Sequence, residues 1–165
     1  MLSSLASVLS QTKGAVGSFN VVDLGMAQAV AASAEEPGVP VIIGMAARHW
    51  EAIDGYALAP GLRAIADRAA VPVAVHLDHA GSQELDLIKK ALELGFTSIM
   101  IDGSKLPFDD NCRVTLEVME LAESYGATGV SEEAIVEAVR RGVRKINHFP
   151  GLVVQAMDEI RAGAA

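Results

Sequence analysis

A chain of 165 residues with 51% apolar side chains can bury a core, since a domain of about 150 residues removes roughly 70% of its unfolded surface from water. Its apolar runs fall far short of the ~20 residues that span a bilayer, and residues 1–20 lack the basic start and long apolar stretch of a signal peptide, so a soluble cytoplasmic protein without a membrane partner is expected. The net charge of -8 and pI of about 4.9 exclude a general nucleic-acid backbone binder, and the single cysteine, Cys112, excludes an internal disulfide framework and a Cys-cluster zinc site.

Short Val- and Ile-rich runs alternate with stretches of helical period. In chain order the pattern predicts a strand at 17–21, a helix at 23–34, a strand at 40–45, a helix at 56–69, a strand at 71–77, a helix at 83–94 and a strand at 97–102. Helices at 113–125 and 132–141, a strand at 144–147 and a helix at 152–162 follow. Ser82 and Ser131 read as N-caps with Glu in the next turn, and Gly95 and Gly142 stand where helices must stop. A helix between successive strands forces neighbours to run parallel, which gives an α/β fold: a parallel sheet of βα repeats with about five strands, in one domain over 1–165. Strand starts recur about every 25 to 30 residues, as βα units require. The step from Thr97 to Arg144 is nearly double that, and only "GATGVS" separates the two helical patterns inside it.

Polar residues collect where the strands end: Asn20, His49 just past the second strand, Asp78 and His79, then Asp102 with Gly103 and Ser104, and finally Asn147 with His148. In parallel α/β folds that end carries the chemistry, because loops vary there over a rigid base. Strict alternation sets His76 and Asp78 on one face and Leu77 and His79 on the other, unless the strand already turns at Asp78, so Asp78 and His79 need not share a role. A lone His or Asp at a strand end is more often a hydrogen-bonded structural group. An Asp-His pair on one strand with a second Asp on the next points instead to a site in which imidazole binds a metal and a carboxylate moves a proton. His49, His79 and His148 follow different strands and could gather into a three-His zinc site; Trp50 and Phe149 beside two of them equally suggest ordinary packing.

The segments "GAVGSFNV", "VPVAVHLDHAGSQELDLIKKALELGFTSIMIDGSKLPFDDN" and "TGVSEEAIVEAVRRGVRKIN" resemble those of class II, zinc-dependent fructose-bisphosphate and tagatose-bisphosphate aldolases. The resemblance implies a fold derived from a (β/α)8 barrel and cleavage of a ketose bisphosphate to dihydroxyacetone phosphate and an aldehyde. It makes Asp78 the acid/base at the C4 hydroxyl, His79 a zinc ligand, and Asp102 of the "MIDGS" motif an acidic residue near the metal. It assigns Asn20, Ser104 and Asn147 to the substrate, and implies a phosphorylated sugar or triose phosphate as partner and zinc as cofactor.

Departures from the family accompany the match. A full barrel needs about 250 residues. About three βα units of the family, with two further His ligands and the phosphate-gripping loops, have no counterpart between "AESYGA" and "TGVSEEA", so the double-length interval reads as an internal deletion that leaves an incomplete barrel. Units 1–127 would precede the seam, and a helix, last strand and terminal helix would occupy 128–165. The alternative is a truncated, non-catalytic module that binds a phosphorylated ligand or only self-associates. Either version is expected to form a homo-oligomer, because too few strands remain to close a barrel.

Overall fold

The computed structural model describes residues 1–12 and 14–127. Its elements are α1 (Leu5–Ser10), β1 (Gly17–Asn20), α2 (Leu24–Glu35), β2 (Val41–Ala46), a 3-10 turn (Ala47–His49), α3 (Gly55–Arg68), β3 (Val73–Gly81), α4 (Leu85–Glu93), β4 (Ser98–Asp102) and α5 (Phe108–Ser124). The four strands form one parallel sheet in the order β1-β2-β3-β4. The fifth predicted strand, the last two predicted helices, the Ser131 cap and Gly142 lie outside the described residues.

Alternation divides the side chains of β2 and β3 between two faces. Val41, Ile43, Met45, Val73, Val75 and Leu77 are buried in the larger cluster with Ala27 of α2, Leu62 of α3, Ile88 of α4 and Val118 of α5. A fully buried aliphatic side chain of this kind contributes about 1.5–3 kcal/mol, so this helix-covered face is the main apolar store of the fold. On the other face Ile42 and Ala74 pack with Val8 of α1, while Gly44, Ala46, His76 and Asp78 continue the same rows toward the carboxyl ends. An open doubly wound sheet reverses its strand order at a switch point. Here the order is sequential and the crossover helices share one cluster, as in an arc of a (β/α)8 barrel. No helix among the described residues is long and apolar enough to cross a membrane.

Local chemistry accounts for most helix ends. Asp23 accepts from the Met26 N–H at 2.8 Å and Asp54 from the Ala57 N–H at 3.2 Å, each closing an N-terminus. Gly95 takes φ 97° just after α4, the left-handed conformation in which a glycine ends a helix without a Cβ penalty. Ser82 is not the cap of α4: Glu84 occupies that position, and its carboxylate turns back to accept from the Gly81 N–H, tying the loop to the end of β3. α5 begins at Phe108 rather than near 113, and Asp109 and Asp110 sit in its first turn, where the helix dipole favours negative charge. α1 was not expected; its Ser4 hydroxyl accepts from the Ser7 N–H, and Val8 is fully buried beneath the sheet.

Candidate functional site

Asp78 lies near the carboxyl end of β3 and is 3% exposed. Its Oδ2 accepts from Asn20 Nδ2 at 2.7 Å, and its Oδ1 lies 2.9 Å from His79 Nδ1 and 3.7 Å from His76 Nε2. Nitrogen groups therefore flank both oxygens, and the carboxylate is held in one orientation.

Asn20 reaches Asp78 across an intervening strand, and Gly44 makes that reach possible. Gly44 of β2 is in register with Asn20 on one side and His76 on the other, and a Cβ on it would run into Asn20 Oδ1. Gly44→Ala is accordingly expected to drive the Asn20 amide off Asp78. Displaced Asn20 side-chain NH2 resonances would register the change, whereas resonances unmoved from wild type would contradict it.

His79 meets Asp78 because β3 does not alternate to its end. Leu77 pairs with Ile99 and Ala80 with Ile101, so three steps along β3 answer two along β4 and a bulge falls at Asp78 and His79. His79 takes φ 56°, and it and Asp54 are the non-glycine residues with positive φ among those described. That backbone costs roughly 1–2 kcal/mol for an L-residue, and such strain concentrates at functional sites. The bulge corrects the alternation reading: Asp78 and His79 do not stand on opposite faces but touch. His79 thus turns its Nδ1 to Asp78 Oδ1, with its side chain 37% exposed.

Asp102 ends β4. The Ser104 hydroxyl, donating to Asp102 Oδ1 at 2.6 Å, and then the Ser104 N–H at 3.0 Å hold its carboxyl below the usual range; partial desolvation opposes this, and His79 and Lys105 add weaker attraction. Ser104 thus gives both of its donors to Asp102, which makes it an orienter of that carboxylate in this structure. Ser104→Ala should return the Asp102 pKa upward toward the ordinary carboxylate value in an NMR titration, and an unchanged titration would remove Ser104 as the cause.

The structure brings Asn20, Asp78 and His79 together and sets Asp102 within electrostatic reach of His79. His49 follows β2 at the same end of the sheet, and its Nε2 accepts from Arg48 Nε at 3.2 Å. Asn147 and His148 lie outside the described residues. Sequence reasoning did not single out Gly44 as a site residue, although a glycine within the aliphatic run "VIIGMA" signals a close approach. It also missed the pairing of His76 Nδ1 with the Ser98 hydroxyl at 2.8 Å, which depends on the β3–β4 register and has no local signature.

As a zinc site the described residues are incomplete. A catalytic zinc takes three protein ligands and keeps one position open; His79 and Asp102 offer an imidazole and a carboxylate, and no group of three or more His, Cys, Asp or Glu side chains that could hold a metal occurs among the described residues.

A sequential parallel βα arc with a clamped carboxylate and a strained histidine at its carboxyl end defines a barrel-type α/β fold, and that face is the one on which such folds generally build active sites. The family profile described as "Fructose-bisphosphate aldolase class-II" matches residues 2–128, and the chain belongs to this family. It is 41% identical over 128 residues to the fructose-bisphosphate aldolase of Geobacillus stearothermophilus, an alignment covering 75% of this chain and 44% of that protein. It is 35% identical over 148 residues to the 6-phospho-5-dehydro-2-deoxy-D-gluconate aldolase of Halalkalibacterium halodurans, covering 86% and 51%. The fold superposes on the crystal structure of the YdjI aldolase from Escherichia coli K12 with a TM-score of 0.69 at 28% identity, covering 86% of this chain and 58% of that one. The chain spans about half the length of the curated relatives it matches.

Proposed function

We propose that the protein is a class II aldolase-type lyase that cleaves a ketose bisphosphate, or forms it from dihydroxyacetone phosphate and an aldehyde, with Asp78 as the acid/base. The observation that carries this reading is the carboxylate of Asp78, buried at a strand end and fixed by Asn20 and His79 at 2.7 and 2.9 Å. In the cleavage direction Asp78 takes the C4 hydroxyl proton as the C3–C4 bond breaks; the C4 oxygen becomes the aldehyde carbonyl, and the bonding pair stays on C3 as an enediolate, which takes up a proton from solvent to give dihydroxyacetone phosphate. In the reverse direction Asp78 returns the proton. Asn20 keeps the carboxylate aimed, and with Ser104 and Asn147 it belongs to the substrate-binding set.

Zinc is the cofactor of this proposal. His79 and Asp102 would contribute to holding it, with further ligands from beyond the described residues, and its positive charge would stabilise the electron-rich fragment. The substrate class is a phosphorylated ketose, consistent with the phosphorylated sugars named for both curated relatives. A homo-oligomer is the proposed assembly and the cytoplasm the proposed location. A module that only self-associates has no use for the strained bulge that turns His79 onto Asp78.

The test is triose-phosphate release from fructose 1,6-bisphosphate and tagatose 1,6-bisphosphate by zinc-supplied protein. Release that stops on chelation and returns with zinc is expected; a folded, zinc-supplied protein that releases none from either sugar contradicts the proposal.

A further inference from the structure

His76 stands two residues before Asp78 on β3 and is 9% exposed. No step of the proposed reaction uses it, yet both of its ring nitrogens face partners inside the protein. Nδ1 lies 2.8 Å from the hydroxyl of Ser98, its register partner on β4, which is fully buried. Nε2 lies 3.7 Å from Asp78 Oδ1.

A neutral imidazole has one N–H and one lone pair, so the two contacts are coupled. If the Ser98 hydroxyl donates to Nδ1, the ring proton sits on Nε2 and faces the Asp78 carboxylate. The other tautomer would send the Nδ1 proton to Ser98 and set the Nε2 lone pair against a carboxylate oxygen, an unfavourable meeting of two acceptors in a buried place. At 3.7 Å the Nε2 contact is longer than a hydrogen bond, but catalytic contacts are often long before substrate arrives and tighten in the complex. Both nitrogens of His76 are thus turned to partners inside the protein, Ser98 and Asp78.

We propose that His76, locked by Ser98 as its Nε2–H tautomer, is a positioning residue that supports the Asp78 carboxylate from beneath and takes no part in metal binding. The inference deepens the reading of Asp78 as acid/base and rests on it for its catalytic consequence.

Imidazole 15N NMR on histidine-labelled protein tests the tautomer without any turnover, with His76 assigned by the loss of its signals in His76→Gln or, should that variant not fold, by through-bond correlation to its own backbone. A pyridine-like Nδ1 and a protonated Nε2 are expected, with Ser98→Ala shifting the ring toward a mixture of tautomers and Asp78→Asn moving the Nε2–H resonance. A proton on Nδ1 in the wild type, or signals indifferent to both substitutions, would overturn the proposal. In turnover assays Ser98→Ala should lower kcat by up to about 10²-fold with KM and bound zinc little changed, as displacement of a catalytic group by about 1 Å does. The same substitution should add no further loss in an Asp78→Asn background; an equal loss there would show that the pair does not act through Asp78. Absence of wild-type turnover would count against the aldolase reading alone, because the NMR result still decides the His76 contacts.

Discussion

His79→Ala is expected to abolish zinc binding, whereas Asp78→Asn should keep it and Asp78→Ala should weaken it by about 10- to 100-fold. The gradation follows from the 2.9 Å contact between Asp78 Oδ1 and His79 Nδ1. A carboxylate that accepts the distal N–H of a metal-binding histidine fixes its tautomer and raises its basicity, and losing such a partner typically costs about 10–100-fold in metal affinity. Asparagine retains an oxygen that can accept the same N–H; alanine does not. Zinc titration of the folded variants checks this, and undiminished binding in His79→Ala would remove His79 from the ligand set.

Self-association is the second large expected effect. β1 and β4 are the outer strands of the described sheet, and eight parallel strands are the usual number that closes a barrel of this kind. An outer strand offers backbone N–H and C=O groups for pairing, and each aliphatic side chain left uncovered forgoes about 1.5–3 kcal/mol, a sizeable part of a domain stability of about 5–15 kcal/mol. A second copy related by a two-fold axis is the commonest way to cover such a surface. Sedimentation at micromolar concentration should therefore show a dimer or larger species; the seam near 127–131 at which the sequence sets the interface lies, beyond Ala127, outside the described residues. A stable, well-folded monomer would show that the chain covers its own sheet.

The elements legible in the sequence were those whose signal is local. β2 is a continuous aliphatic run buried along its whole length, and Gly95 stops α4 by a conformation that few other residues adopt. Asn20, Asp78, His79 and Asp102 stood out because polar residues closing apolar runs are unusual, and the structure sets them at the same end of the sheet. Whatever depended on register stayed hidden. A period of two cannot reveal the extra residue in β3, so alternation separated Asp78 from His79, which the bulge brings into contact. The Asn20–Gly44–Asp78 crossing and the His76–Ser98 pair join residues 58 and 22 positions apart, and no local pattern encodes either. α1 was missed because six residues are too few for a convincing helical period.

The most direct measurement compares initial rates of triose-phosphate release by wild-type protein and Asp78→Asn at equal zinc occupancy. If Asp78 moves the C4 hydroxyl proton, the isosteric amide should be slower by roughly 10²- to 10⁴-fold with zinc still bound and the fold unchanged. Equal rates in the two proteins would contradict the assignment of Asp78 as the acid/base.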